Sequence, residues 1–165
     1  MNELDAKKDR LYQDAGLVQF YDIENGLAAD WEYCAAMAED ANSVLDIGCG
    51  TGSFLTYLTG DKHRCGVDPA KAMLDVARAR PGGAQVTWVQ ADARAVRLPR
   101  NFDLVVLTGH AFQVFLTPDD RRAVLATIAH HLAPQGRFIF DTRNPLAEDW
   151  RSWTPDETER RIEVR

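Results

Sequence analysis

The most constraining feature of the sequence is a short apolar segment that runs directly into alternating glycines. The apolar run covers 43–47, and Gly48, Gly50 and Gly52 follow it. A short apolar run that ends at glycines predicts a buried β-strand followed by a tight turn. Because glycine adopts unusual backbone angles and has no side chain, such a turn allows a ligand to contact the main chain. The segment therefore predicts the first strand of an α/β domain, with a binding turn at its end.

The remainder of the chain alternates between strand and helix patterns. Strands are predicted over 64–67, 85–90, 102–107 and 137–140, and helices over 54–58, 70–80 and 117–132. The sequence 134–136 is expected to end the last helix. Apolar strands that alternate with helices are typical of parallel strands covered on both faces, and right-handed crossovers then give a doubly wound, mostly parallel open sheet.

A polar arm with scattered aromatic residues precedes this core. A helix is predicted over 27–38 from its apolar stripe, while the periodicity before residue 25 is weak. Tyr12 and Tyr21 lie in this arm, either as a lid over the binding site or only as anchors of the arm.

Composition and charge exclude several classes. The 165 residues are 45% hydrophobic and 27% charged, which suits one globular domain. Cys34, Cys49 and Cys65 have no framework spacing, so a reducing, cytoplasmic location is expected, and no apolar run is long enough to cross a membrane. Residues 1–40 carry ten acidic and three basic residues, and the rest is nearly neutral. Nothing here resembles a basic nucleic-acid-binding face.

Acidic residues lie at the ends of three predicted strands: Asp46, Asp68 and Asp92. Ligands of doubly wound sheets bind at the carboxyl ends of the strands. There, Asp68 can accept both hydroxyls of a ribose and Asp92 can accept an exocyclic amine. The glycine spacing lacks the last glycine of a dinucleotide fingerprint, because Ser53 occupies that position. The expected ligand is a nucleoside with little phosphate and many donors.

This combination of motifs resembles the class I S-adenosylmethionine-dependent methyltransferases, and more loosely a bacterial small-molecule subgroup of them. The matching segments are VLDIGCGTGSF (44–54), GVDPA (66–70), QADA (90–93), FDLVVLTGHAF (102–112) and LAPQGRFIFDTRNP (132–145). The resemblance implies a Rossmann-like sheet with strand order 3-2-1-4-5, S-adenosylmethionine as cofactor and S-adenosylhomocysteine as product.

The resemblance also implies a division of the chain. We expect a helical arm or lid over 1–42, a cofactor-binding core over 43–145 and the start of a C-terminal extension over 146–165. The last strands of the family's seven-stranded sheet are missing, which suggests truncation after the fifth strand. Only 161–165 has a further strand pattern. The fifth strand is then an exposed edge, so a homo-oligomer through that edge, or coverage by 159–165, is expected.

The resemblance implies cofactor roles for eleven residues. Backbone at 48–50 would follow the methionine part, Asp46 would support its amino group, and the strand ends at 68, 92 and 108 would meet the ribose, adenine and sulfonium. The expected cofactor-binding residues are Asp46, Gly48, Cys49, Gly50, Asp68, Pro69, Met73, Asp92, Ala93, Thr108 and Gly109.

Two groups of residues are candidates on the acceptor side. His110 is interpreted as a general base or acceptor contact, or alternatively as a packing residue at a helix start. Arg143 and Asn144 would face the substrate or only cap a turn. No metal is expected, because Cys34, His63 and Cys65 lack ligand spacing.

A small molecule is the expected acceptor. The fourth strand is followed by Thr108, Gly109 and His110 rather than by the loop of amino-methylating nucleic-acid enzymes. The main prediction is methyl transfer to a small molecule, with no nucleic-acid or membrane partner. The alternative is a cofactor-binding fragment without activity, because C-terminal substrate elements are absent.

Overall fold

The computed structural model describes residues 10–25 and 29–159 as alternating helices and strands. The helices are α1 (Arg10–Gln13), α2 (Ala15–Val18), α3 (Tyr21–Glu24), α4 (Ala29–Ala38), α5 (Ser53–Tyr57), α6 (Lys71–Ala79), α7 (Pro118–His131) and α8 (Pro155–Thr158). The strands are β1 (Ser43–Ile47), β2 (His63–Asp68), β3 (Thr87–Gln90), β4 (Phe102–Leu107) and β5 (Leu132–Phe140). Short 3-10 turns cover Gly83–Gln85, Ala111–Val114, Pro145–Ala147 and Asp149–Ser152.

The five strands form one parallel sheet in the order β3-β2-β1-β4-β5. This order confirms the prediction. Every residue of β1 is buried, and its side chains alternate between two apolar layers. Val44 packs in a cluster with residues of α4 and α5, whereas Leu45 and Ile47 pack in a cluster that includes Val124 of α7. A strand covered on both faces is mostly apolar, which explains Val44, Leu45 and Ile47, whereas Ser43 and Asp46 are buried polar exceptions in β1.

The α7–β5 segment differs from the prediction. Helix α7 begins as expected, with Thr117 as N-cap accepting from the Asp120 N–H at 3.1 Å. However, β5 begins at Leu132, so 134–136 lies inside the strand instead of ending the helix. The pairing shifts from Phe102↔Leu132 to Leu104↔Arg137, which leaves three more residues on β5 than on β4. This bulge accommodates the proline and glycine that a regular strand would exclude.

Smaller differences concern element bounds. The predicted strand over 85–90 is shortened, because a 3-10 turn occupies Gly83–Gln85 and β3 begins at Thr87. Helix α4 is described from Ala29; the predicted start at residue 27 and the predicted strand over 161–165 lie outside the described residues. Across 10–25 and 29–159, no helix is long and apolar enough to cross a membrane.

Within the described residues, β5 is one edge of the sheet and pairs only with β4, while β3 is the other edge. Phe140, its last residue, is 46% exposed. The carboxyl ends of all five strands lie along one side of the parallel sheet, and there the predicted site residues are placed.

Candidate functional site

The turn after β1 is built from left-handed glycines. Gly48, Gly50 and Gly52 have φ angles of 76°, 52° and 73°, a region that other residues adopt only with strain. The backbone N–H groups of Gly48 and Cys49 donate to Val67 O at 2.8 and 3.2 Å. The turn is therefore fixed to the end of β2, as a binding turn requires.

One of these glycines is required by packing. A Cβ at Gly52 would lie 2.3 Å from Trp88 Cη2, and one at Gly66 would lie 2.5 Å from Trp88 Cζ3. Trp88 is paired with Gly66 in the β2–β3 register, and its indole N–H donates to Gly83 O at 2.8 Å. The indole ring thus occupies the space that side chains at Gly52 and Gly66 would need, and it packs against the turn.

Asp68 links the end of β2 to the glycine turn. The residue is 8% exposed, and its carboxylate accepts from Gly50 N–H at 3.0 Å and from Ala70 N–H at 2.8 Å. Burial raises the pKa of Asp68, while these two backbone donors oppose the rise. A carboxylate has about four acceptor positions, so two remain for hydroxyl groups of a ligand.

Asp46 is the other buried acid at this turn. It is 4% exposed, and burial, with a smaller contribution from the charge of Asp68, raises its pKa to about 7. No residue in the described part of the chain donates a hydrogen bond to this carboxylate. A buried carboxylate without a partner is costly, and a cationic ligand group would relieve that cost.

The N-terminal arm covers the glycine turn. Tyr21 Cε1 lies 3.8 Å from the position of a Cβ at Gly50, and the rings of Tyr12 and Tyr21 meet edge to face at 6.0 Å. Burial, followed by Tyr12 and nearby acids, raises the pKa of Tyr21 to about 12, so its hydroxyl stays neutral. The structure places both tyrosines at the predicted site.

Hydrogen bonds from Asp22 hold the arm in this position. Its carboxylate accepts from Thr51 Oγ1 at 2.5 Å and from the Arg80 guanidinium. Arg80 Nε also donates to Thr51 O at 3.1 Å. Asp22 and Arg80 were not predicted as site residues, because only the folded arm brings them to the turn.

The residues predicted to meet adenine are engaged with protein groups. The Asp92 carboxylate accepts from Arg94 N–H at 2.8 Å and from its guanidinium at 2.6 Å, and these bonds lower the pKa of Asp92. Met73 is buried in a cluster with Val18 and Ala70. Ala93 is buried, whereas Pro69 is exposed. The adenine contacts that the resemblance implies for Met73, Asp92 and Ala93, and the cofactor contact of Pro69, stay predictions.

The turn after β4 holds the most unusual backbone of the site. Gly109 and His110 both have left-handed φ angles, 63° and 61°, and a Cβ at Gly109 would have no heavy atom within 4 Å. The His110 N–H lies 3.0 Å from both carboxylate oxygens of Asp141, and its ring Nδ1 lies 2.5 Å from Asp141 Oδ2. Asp141 directly follows β5. Its position at a strand end was visible in the sequence, but its histidine partner was not.

Arg143 and Asn144 have different surroundings. Arg143 Nη1 donates to Gln113 Oε1 at 3.2 Å, and its guanidinium lies 4.9 Å from the ring centre of Trp153. Asn144 Oδ1 accepts from Leu146 N–H at 3.0 Å, which is the turn-capping arrangement. Nearby is an open groove of about 290 Å³, lined by Phe112, Gln113, Phe115, Leu116, Arg121 and Thr142.

The fold and the site together define a nucleoside-binding α/β domain. Its sheet is doubly wound, its first turn exposes main chain, and two buried acids lie at the ends of adjacent strands. The chain belongs to the methyltransferase domain family, whose model matches residues 44–136, as the sequence motifs predicted.

Curated relatives agree with this assignment. The dTDP-3-amino-3,4,6-trideoxy-alpha-D-glucopyranose N,N-dimethyltransferase of Streptomyces venezuelae is 34% identical over 118 residues, which cover 71% of this chain and 45% of that protein. The cypemycin N-terminal methyltransferase of a Streptomyces species is 30% identical over 107 residues, covering 64% and 44%. The chain thus spans less than half the length of these two relatives.

A solved structure gives the same result for the fold. An amino pentose methyltransferase of Micromonospora echinaspora involved in calicheamicin biosynthesis, solved with S-adenosylmethionine bound, superposes with a TM-score of 0.67 at 30% identity. The match covers 76% of this chain and 55% of that one. The predicted Rossmann-like methyltransferase fold is confirmed.

Proposed function

We propose that this chain binds S-adenosylmethionine at the carboxyl ends of β1, β2 and β3 and transfers its methyl group to a small-molecule acceptor. The observation that carries the proposal is the pair of buried acids at the glycine turn. Asp46 offers an unpartnered carboxylate, and Asp68 keeps acceptor positions beside its two backbone bonds.

The residues present fit this cofactor. Its ammonium group would pair with Asp46, its ribose hydroxyls would donate to Asp68, and its chain would lie along the backbone of Gly48, Cys49 and Gly50. Tyr21 and Tyr12 would close over it as a lid, since Tyr21 already lies at Gly50. When bound, the cofactor supplies a methyl group on a positively charged sulfur.

The protein's contribution to the reaction is alignment and exclusion of water. Thr108 and Gly109 would border the reacting end, because the space around Gly109 is open. His110, beside them, would hold or accept a proton of the acceptor. The groove next to the 3-10 turn at Ala111–Val114 would hold the acceptor, with Arg143 at its rim.

An amine is the favoured class of acceptor group. The two relatives with sugar substrates, from Streptomyces venezuelae and Micromonospora echinaspora, are named as an N,N-dimethyltransferase of an amino sugar and an amino pentose methyltransferase. We further propose the division into an arm over 1–42, a core over 43–145 and an extension from 146. Self-association through β5 belongs to the same proposal.

Calorimetric titration tests cofactor binding. S-adenosylmethionine and S-adenosylhomocysteine should each bind the wild-type protein, and Asp68→Asn should weaken both. Because a hydrogen bond to a charged group contributes about 1.5–3 kcal/mol, the loss should be roughly 10- to 100-fold. The matched control is Asp75→Asn on α6, an exposed carboxylate paired with Lys71, and it should leave binding unchanged.

Three outcomes separate the alternatives. If neither ligand binds, or if Asp68→Asn behaves like Asp75→Asn, the proposed site is wrong. If both ligands bind but no member of a panel of small amines, phenols and carboxylates is methylated, cofactor binding without transfer is the better description.

A further inference from the structure

A histidine and a carboxylate meet at the ends of β4 and β5. The Asp141 carboxylate receives the His110 backbone N–H on both oxygens, at 3.0 Å each, and its Oδ2 lies 2.5 Å from ring Nδ1. Three contacts between two residues 31 positions apart fix the ring as well as the backbone. The left-handed φ of 61° at His110 is strained for a residue with a side chain, so these contacts also stabilise that conformation.

The exposure of the ring is one-sided. The approach of Nδ1 to Asp141 is a close charge contact rather than a hydrogen bond of regular geometry. Nδ1 is fully enclosed, although the His110 side chain is 41% exposed. The exposed surface therefore belongs to the rest of the ring, where Nε2 is located. Gly109, just before it, borders open space, and we expect a ligand to approach the imidazole from this side.

We propose that Asp141 is a positioning residue that holds His110 with its proton on Nδ1, leaving the lone pair of Nε2 as the general base for the acceptor. The proposal rests on the proposed methyl transfer and adds a residue for which the sequence motifs implied no role. At 2.5 Å from Oδ2, Nδ1 is attracted to the carboxylate only when it carries a proton, and the negative charge of Asp141 stabilises the positive charge that the ring gains during the reaction. The same logic applies wherever a carboxylate orients a catalytic imidazole.

The proton balance states what the base does for the acceptor. The lone pair of the acceptor forms a bond to the methyl carbon, the bond from that carbon to sulfur breaks, and its electron pair stays on sulfur. The proton displaced from the acceptor passes to Nε2, and the imidazolium later releases it to water. Such a base acts on a reacting atom that carries a proton: a hydroxyl group loses its proton as the new bond forms, whereas an ammonium group must lose it first, because it has no lone pair.

A purely structural role for Asp141 is the competing explanation. In that case the carboxylate would only satisfy the His110 backbone N–H, and the ring tautomer would not depend on it. Asp141→Asn distinguishes the positioning role from the structural role. Its amide oxygen can still accept from the His110 backbone N–H, whereas its NH₂ group is a donor and favours an unprotonated Nδ1.

The tautomer can be measured without knowing the acceptor. Long-range proton–nitrogen NMR is recorded on the full chain with S-adenosylhomocysteine bound, at about pH 8, where a typical imidazole is neutral. In the wild type, His110 should carry its proton on Nδ1; in Asp141→Asn the proton should move to Nε2, and Asp141→Glu should restore the wild-type pattern. His131 is an internal reference, since its Nε2 accepts from Leu98 N–H at 2.8 Å in every variant.

Turnover with any methylated member of the amine and phenol panel gives the second readout. Asp141→Asn should lower kcat by roughly 100-fold or more, in line with the usual contribution of a general base, with little change in KM or in S-adenosylhomocysteine affinity. His110→Ala should cost about as much, and the double variant no more. If the His110 tautomer is the same in wild type and Asp141→Asn while S-adenosylhomocysteine still binds, Asp141 does not position His110 and this proposal is wrong, but the proposed cofactor binding is not contradicted. Failure of S-adenosylhomocysteine to bind overturns the proposed function itself.

Discussion

Asp46 is buried at the end of β1, where the charge of Asp68 on the neighbouring strand adds to the effect of burial and raises the pKa of Asp46 to about 7. The two acids repel each other where a ligand with a positive charge is expected. The ionised Asp46 carboxylate is unfavourable in the empty site and is stabilised by a cationic ligand. Cofactor affinity should therefore depend on pH.

Cofactor affinity should increase with pH through about 7. The ammonium group pairs with ionised Asp46, so binding below this pH must first remove a proton from the carboxyl group. We expect S-adenosylhomocysteine to bind about tenfold more tightly at pH 8 than at pH 6, with proton release near neutral pH. Titrations in buffers of different ionisation enthalpy measure this release, and a pH-independent affinity would contradict the pairing.

Asp46→Asn should stabilise the protein at pH 8 while weakening the cofactor complex. The folded pKa of Asp46 lies above its unfolded value, so its favourable contribution is complete at low pH and is lost as pH rises through about 7. The gain at pH 8 should be on the order of 2 kcal/mol, and each kcal/mol raises Tm by about 2–4 °C. Asp75→Asn, at an exposed carboxylate on α6, should leave Tm nearly unchanged in thermal unfolding followed by circular dichroism.

Asp22→Asn should loosen the arm without unfolding the core. The substitution removes the negative charge of the carboxylate that accepts hydrogen bonds from Thr51 Oγ1 and the Arg80 guanidinium. A partly exposed pair of this kind contributes about 0.5–1.5 kcal/mol to stability. Proteolysis within 10–25 should accelerate, and S-adenosylhomocysteine should bind roughly 2- to 10-fold more weakly because Tyr21 covers Gly50 less often. Glu24→Gln, on the same short helix, is the control. If the two variants behave alike, the arm does not contribute to cofactor binding through Asp22.

The sequence predicts this fold well where local pattern and tertiary environment agree. β1 and β4 are mostly apolar because both of their faces are covered, so their positions follow from the sequence. β5 was predicted too short, because Pro134 and Gly136 normally end elements, and only pairing with β4 reveals that a bulge absorbs them. In the same way, Asp141 was recognisable as a strand-end residue, but the left-handed backbone that turns His110 towards it is set by tertiary structure.

The edge of β5, which among residues 10–25 and 29–159 pairs only with β4, should cause self-association. A bare strand edge presents unpaired backbone groups to another chain, and Phe140 at its end adds apolar surface. Light scattering after size-exclusion chromatography should show mass increasing with concentration for the wild type, and Phe140→Lys should reduce it. Leu125→Lys on α7 is a matched control, since Leu125 is 42% exposed; a wild-type protein that stays monomeric at all concentrations would contradict this expectation.

His131 should make the protein less stable in mild acid. Although a histidine at a helix end is usually interpreted as a cation, His131 is fully buried; its Nδ1 lies 2.7 Å from Thr127 O, and its Nε2 accepts from Leu98 N–H. Desolvation is the main cause that lowers the pKa of His131. The stability that His131 contributes is therefore complete above the unfolded pKa of about 6.5, and it is lost as pH falls.

The matched pair His131→Gln and His130→Gln isolates this effect, because His130 is exposed on the same helix turn. Below about pH 6.5 the wild-type free energy of unfolding should contain a His131 contribution of up to about 1.4 kcal/mol per pH unit. His130→Gln should keep it and His131→Gln should lose it, even though His131→Gln is less stable at pH 7. Urea unfolding between pH 5 and 7 measures the difference between the variants, and parallel curves would mean that His131 does not stay neutral in the folded protein.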